Sequence, residues 1–240
     1  MTNRLQPLVA LRALKRLIND PEDTRQVFQV LRALAGNAIE RSAERFKLTR
    51  AGKRILSREK TLMQTLTDRE SLRALPAGTF GREYLNYLET ENLSAEGLQE
   101  ASDVDNNDEP FADPDTQRYA LRVRDQHDLW HVAVGYSRDV AGEACLLGFT
   151  YAQTGHKGIG LIALVGAFKI SQTHGKGIFG AIWQGYRLGR KARWLPAQEW
   201  ETLLQLPLEQ VRELLNIGSP DRYYALTQDI DIPFANLSAQ

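Results

Sequence analysis

Eleven of the chain's eighteen glycines lie between Gly142 and Gly189, eight of them inside runs whose apolar residues otherwise recur at a helical period. A glycine in a helix interior costs about 1 kcal/mol relative to alanine, so this density demands a compensating use. The three runs, Ala144 to Gly155, Gly158 to Phe168 and Gly177 to Tyr186, are weakly charged and too long and regular for turns alone. Small residues let helix backbones approach closely, or leave a groove into which an elongated apolar ligand can lie. The groove is the use expected here.

Helical spacing extends over most of the remaining chain. Leu5, Leu8, Leu11, Leu14, Leu17 and Ile18 describe an amphipathic first helix, read as packing on a core and not as lying in a membrane interface. Glu22 to Phe46 sets Val27, Leu31, Leu34, Ala38 and Ile39 on one face, and Thr79 to Leu93 repeats the pattern with Phe80, Tyr84, Tyr87 and Leu88. The fold class expected is therefore all-α: one multi-helix domain over 1–240 with a glycine-rich apolar helical groove. Within it, 1–100 are N-terminal helices, 103–115 an acidic loop, 116–217 the helices of a metal site and lipid groove, and 218–240 a C-terminal tail. The loop carries six acids, two prolines and no basic residue. Its Asp103, Asp105, Asn107 spacing approaches a calcium loop, but Asp108 stands at the sixth position and Pro114 at the twelfth, where glycine and glutamate are required. Gly158-Ile-Gly-Leu-Ile-Ala163 matches a dinucleotide fingerprint formally, yet no strand precedes it and no acid follows about twenty residues on.

Composition removes whole classes of function. A chain of 240 residues can bury a core without disulfides, and Cys145 has no internal partner, so a secreted disulfide scaffold is excluded. Thirty Lys and Arg balance thirty Asp and Glu, which argues against a dedicated nucleic-acid binder. The longest strongly apolar run, Gly158 to Phe168 between Lys157 and Lys169, falls short of the roughly 18 residues of a membrane span. Met1 to Asp20 is basic but poor in serine and reads as mature sequence, not a transit peptide. Eight basic residues between Arg41 and Lys60 face only Glu44 and Glu59 and read as a solvated face. Arg187, Arg190, Lys191 and Arg193 cluster at a helix C-terminus ahead of Pro196, where cations complement the helix dipole; a membrane-facing patch would look the same.

Two of the four histidines sit in His127-Asp128-Leu129-Trp130-His131. Four residues apart on a helix, both imidazoles project from one face, a spacing that suits a shared metal ion as well as an ordinary surface or core pair. Asp128 adjoins the first histidine, and Glu143 follows His131 after eleven residues. On one unbroken helix Glu143 would lie about 18 Å from His131 along the axis, so convergence requires the chain to turn back. Gly135, Ser137 and Gly142 supply break points, with Glu143 opening a second helix. Two histidines and two carboxylates on a helical pair would suit zinc, iron or another divalent ion.

His-Asp-x-x-His, eleven residues, then Glu resembles the signature of the coenzyme Q (ubiquinone) biosynthesis protein four family, matched at His127, Asp128, His131 and Glu143. Leu75 to Tyr84 resembles the family's glycine-containing helix entry. Leu121-Arg-Val-Arg124, Gln153-Thr-Gly155, Trp200-Glu201 and Val211 to Leu215 are similar to its flanking stretches. The likeness covers roughly residues 75 to 217; residues 1–74 share helical character only, and the want of a transit peptide points to a bacterial-type homologue.

The resemblance implies an all-helical protein with a zinc-type site of His127, Asp128, His131 and Glu143. It implies peripheral attachment to a membrane holding a polyprenylated quinone precursor, on the cytoplasmic face of the inner membrane in a bacterium or at the mitochondrial inner membrane in a eukaryote. Other ubiquinone biosynthesis enzymes and a second copy of the chain are the partners it suggests, and the glycine-rich region would hold the isoprenoid tail. The leading functional expectation is metal-dependent removal of the ring carboxylate at carbon one with installation of a hydroxyl there. Zinc has no accessible redox change, so the hydroxylation half requires an electron-rich ring reacting with oxygen itself, or an iron-like metal. The alternative is a non-catalytic prenyl-lipid-binding scaffold with a structural zinc. A metal-dependent phosphohydrolase would need further ligands, for which only His156 and His174 remain, read as surface or groove-mouth residues. Arg122, Arg124 and Lys157 are read as forming ordinary salt bridges, with an anionic head group as the other use.

Overall fold

Almost every apolar stretch of the sequence repeats at 3.6-residue spacing, so each element can bury its apolar side only against another helix. A computed structural model describes residues 5–19, 24–93 and 111–227. Among them there is no β-strand. The helices are α1 (Pro7–Asn19), α2 (Thr24–Ala35), α3 (Ala38–Leu48), α4 (Arg50–Leu56), α5 (Leu62–Leu66), α6 (Arg69–Arg73), α7 (Phe80–Thr90) and α8 (Pro114–Asp125), followed by α9 (His127–Val134), α10 (Val140–Thr154), α11 (Lys157–His174) and α12 (Gly177–Lys191). A 3-10 turn at Leu195–Ala197 then leads to α13 (Trp200–Leu203), α14 (Leu208–Leu215) and α15 (Asp221–Thr227). The chain forms one all-α domain, as its periodicity requires.

The main core gathers Tyr84, Tyr87 and Leu88 of α7, Leu129 and Trp130 of α9, Phe149 of α10, Ile178 of α12, and Trp200, Val211 and Tyr223 from the C-terminal helices. A second cluster joins Phe46 of α3 to Tyr119 of α8, with ring centroids 5.1 Å apart. The third, Ala13, Leu14 and Val30, ties α1 and α2 to Leu161, Ile162 and Val165 of α11.

Several local expectations change. The periodic face over Glu22 to Phe46 is two helices, because Gly36 adopts φ +54° and turns the chain between them. The leucine stripe of α1 is only partly its buried face: Leu14 is buried with Ala10 and Ala13, while Leu8 and Leu11 are more than 60% exposed. Three-residue spacing drifts about 60° per step around a helix. The acidic loop ends earlier than expected, since Asp113 caps α8 by accepting from the Thr116 N–H at 3.1 Å. Residues 218–240, expected as a tail, contain helix α15, whose Tyr223 is buried. Residues 94–110 and 228–240 lie outside the described residues, so the calcium-loop spacing at Asp103 to Asn107 does too.

The glycines of the apolar region serve close approach at three points. A Cβ on Gly148 would stand 2.7 Å from the Ile182 carbonyl oxygen, one on Gly185 2.5 Å from that of Cys145, and one on Gly189 2.6 Å from that of Phe149. α10 and α12 thus cross with backbone against backbone, which their helix-wide apolarity alone would not achieve. Gly185→Ala should therefore force the two helices apart, with an overpacking cost of about 1–3 kcal/mol. A fall in the urea midpoint at unchanged slope checks this.

Candidate metal centre

Helix α8 runs into α9 through Gln126, which is fully buried and donates its side-chain amide towards the Pro196 carbonyl at 3.5 Å. Just upstream, Arg122 clamps Glu201 through two nitrogens, at 2.7 and 2.9 Å, and donates to the Gln198 carbonyl at 2.9 Å. Arg124 pairs with Asp125 at 3.0 Å. A bidentate guanidinium of this kind fixes orientation as well as position. It sets the start of α9, where His127 and His131 share a face one turn apart.

Turning the chain back takes five residues. Gly135 stops α9 in the left-handed region at φ +87°, and the His131 carbonyl accepts from both the Gly135 and Tyr136 N–H groups at 2.8 and 3.1 Å. The next carbonyls, Ala133 and Val132, accept from Arg212 of α14 at 3.0 and 3.3 Å. Asp139 then caps α10, accepting from Ala141 and Gly142 N–H at 3.0 Å, while its other oxygen accepts from the Tyr223 hydroxyl. The Ser137 N–H donates to that hydroxyl at 3.2 Å. Glu143 lies in the first turn of α10 and so faces back to α9.

The turn brings three side chains together. Ligand atoms of His127, His131 and Glu143 all lie within 4.8 Å of one another, and among the described residues no other three His, Cys, Asp or Glu side chains do so. His131 Nε2 is 3.4 Å from Glu143 Oε1, and His127 Nε2 is 3.9 Å from Glu143 Oε2. Two ligands on a tetrahedral zinc with bonds near 2.05 Å would be about 3.4 Å apart, so only small side-chain movements separate this cluster from a coordination shell.

Tautomer follows from partner. His131 is wholly buried and its Nδ1 lies 3.0 Å from the Tyr136 carbonyl, which can only accept, so Nδ1 carries a proton and Nε2 is the nitrogen turned to Glu143. That Nε2 is buried without a hydrogen-bond partner. A cation between Nε2 and Glu143 would satisfy it, and the donor set of two imidazoles and a carboxylate fits a divalent metal. The Tyr87 ring stacks on His131, 22° from parallel and 5.8 Å away.

Asp128 is placed differently. Its carboxylate meets His127 Nδ1 at 3.1 Å and does not join the cluster. His156 precedes α11 and His174 ends it, both outside the cluster as well. Arg138, which sequence reasoning passed over, stands at the mouth with Nε 3.6 Å from Glu143 Oε1. Tyr87, Tyr136, Asp139 and Tyr223 were missed too; only Asp139, an acid just before the apolar start of α10, carried a readable capping signal.

Burial disfavours ionising Glu143, but the two imidazoles and Arg138 overcome it and hold its carboxyl down to about 2. Burial likewise opposes charge on His127, and the Asp128 and Glu143 carboxylates outweigh it, raising its pKa.

A family model described as coenzyme Q (ubiquinone) biosynthesis protein Coq4 matches residues 2–221. The mitochondrial ubiquinone biosynthesis protein COQ4 homologue of Danio rerio is 32% identical over 170 residues, 69% of this chain and 59% of that protein. The mitochondrial COQ4 of Scheffersomyces stipitis is 26% identical, over 70% of this chain and 51% of its own length. The chain thus spans between half and three fifths of these two relatives. A crystal structure of a provisionally named ubiquinone biosynthesis protein from Nostoc punctiforme covers 90% of this chain and all of its own with a TM-score of 0.67 at 23% identity, and so shares the fold.

Two expectations follow from the geometry. Metal must displace the His127 proton, whose pKa is raised, whereas Glu143 stays ionised through the whole neutral range. Zinc affinity measured by chelator competition should therefore be weaker at about pH 6 than at about pH 8. Tyr223→Phe removes the donor to Asp139 and the acceptor for Ser137, and should lower unfolding free energy by about 1–3 kcal/mol in a denaturant titration.

Proposed function

The chain belongs to the coenzyme Q (ubiquinone) biosynthesis protein Coq4 family, and on that footing we propose that it works on the head group of a polyprenylated hydroxybenzoate at a divalent metal held within the His127, Asp128, His131 and Glu143 constellation. The reaction proposed takes the carboxylate from ring carbon one and leaves a hydroxyl there. Carbon dioxide leaves, the two electrons lost by the ring reduce dioxygen to hydrogen peroxide, and water supplies the oxygen of the new hydroxyl. The observation that carries this reading is the convergence of His127, His131 and Glu143 at the mouth of an otherwise apolar bundle.

A bound zinc would supply Lewis acidity to stabilise negative charge on the carboxylate or a ring oxygen, and an iron-like ion would add the redox change that zinc lacks. The chain's own groups supply the rest. Arg138, at the entrance beside Glu143, is positioned to attract an anionic head group. Glu143 remains a carboxylate at every working pH and takes up a proton only if displaced from its cationic neighbours. Tyr87 and the buried face of α9 close the inner side of the site to water, leaving the His127 side, 41% exposed, as the way in.

The lipid half of the proposal rests on the exposed apolar side chains Leu8 and Leu11 of α1, Leu164 and Phe168 of α11 and Trp183 of α12; α1 packs on α2, α2 on α11 and α11 on α12. They suit contact with a prenyl tail or with the membrane surface that holds it. No helix among the described residues is long and apolar enough to cross a membrane. Work beside other ubiquinone biosynthesis proteins, at a bacterial inner membrane or the mitochondrial inner membrane, completes the proposal.

His127→Ala separates chemistry from scaffolding. In a ubiquinone-deficient strain that the unaltered chain restores, the variant should stay folded by circular dichroism and restore less than a tenth of the ubiquinone measured by mass spectrometry. Full restoration by the variant would leave a scaffold role and no metal chemistry.

A further inference from the structure

Resting on the metal reading above, we propose that Asp128 is a positioning residue for His127 and not a metal ligand, so that the centre is built from two histidines and one carboxylate with a coordination position left open towards solvent. The four-residue motif would otherwise suggest a closed shell of four protein ligands.

Helix geometry gives the first reason. His127 and His131 lie one turn apart on one face of α9, whereas Asp128 is rotated about 100° from His127. Its carboxylate accordingly lies under the helix, 8% exposed, while the imidazole it meets is 41% exposed. Glu143, coming from α10, occupies the third side of the cluster, and Asp128 has no oxygen close enough to share it.

Hydrogen bonding gives the second. His127 donates from Nδ1 to Asp128 Oδ1 at 3.1 Å, and His131 donates from Nδ1 to the Tyr136 carbonyl at 3.0 Å. The same device appears twice: an oxygen acceptor holds the proton on Nδ1, and Nε2 is presented to the cluster, 3.9 and 3.4 Å from Glu143. Ligating histidines ordinarily bond a carboxylate or carbonyl through their other nitrogen in this way, which sets tautomer and ring angle and raises basicity. A carboxylate bonded at His127 Nδ1 stands on the side of the imidazole away from Nε2, and so away from the ion that Nε2 would bind. Three protein ligands leave one tetrahedral vertex for water or substrate, which is what a catalytic centre needs and a structural one lacks. An open position would face outward, because His127 and Glu143 are the partly exposed members, at 41 and 34%, and His131 is fully buried.

Cobalt(II) and zinc loading of the full chain tests this. Asp128→Asn should still bind one equivalent of cobalt with an unchanged visible spectrum, at an affinity about 10- to 100-fold weaker by chelator competition. Glu143→Ala should change the spectrum itself. A cobalt spectrum altered by Asp128→Asn as strongly as by Glu143→Ala would make Asp128 a ligand and overturn the proposal. Imidazole 15N shifts of the unaltered zinc-loaded chain provide a readout that needs no variant. Both histidines should be protonated at Nδ1 and bound through Nε2, and binding through His127 Nδ1 would overturn the proposal. If the unaltered chain takes up no divalent metal at all, it is the metal reading that fails, and this proposal with it.

Discussion

Everything in the site depends on the reciprocal bonding between His131 and Tyr136. The His131 carbonyl accepts the Tyr136 N–H, and the Tyr136 carbonyl accepts the His131 ring N–H, so one pair of residues ends a helix, starts a return and fixes a tautomer. Gly135 makes this possible because its φ of +87° is strained for residues with a side chain. Without the return, Glu143 would lie a long way up a continuing helix, and the buried Nε2 of His131 would have no carboxylate beside it.

The turn is held from a distance. Arg212 caps the carbonyls of Val132 and Ala133 from α14, Tyr223 of α15 bonds both Asp139 and Ser137, and Gly185 of α12 lets that helix come close enough for its backbone to pass near the Tyr136 hydroxyl. Residues of α12, α14 and α15 therefore set the geometry of a centre whose ligands lie within seventeen positions of one another. Stability and site are coupled through these contacts, because loosening α15 or the α10–α12 crossing frees the segment that carries Glu143.

The helical class and the two-helix placement of the motif were legible from spacing alone. Residues four apart must share a face, and eleven intervening residues must include a break if the glutamate is to return. The partners of the imidazoles were not. Asp128 looks like a fourth ligand in the sequence because its chemistry is right, and only the helix rotation and the His127 ring decide its use. Tyr136 contributes a backbone carbonyl, which no residue type encodes, and Tyr87 is indistinguishable in the sequence from the other aromatic core positions of α7. The glycine runs were expected to leave an apolar groove, whereas Gly148, Gly185 and Gly189 serve backbone contact between α10 and α12. In α1 the leucines misled in part, because three-residue spacing drifts around the helix and only Leu14 of the stripe's described side chains is buried, beside Ala10 and Ala13.

The most direct measurement is anomalous diffraction at the metal edge from crystals of the chain loaded with one equivalent of zinc. A single peak is expected about 2.0–2.2 Å from His127 Nε2, His131 Nε2 and one Glu143 oxygen, with Asp128 still bonded to His127 Nδ1. A peak elsewhere on the molecule, or none between α9 and α10, would contradict the assignment of this turn as the metal centre.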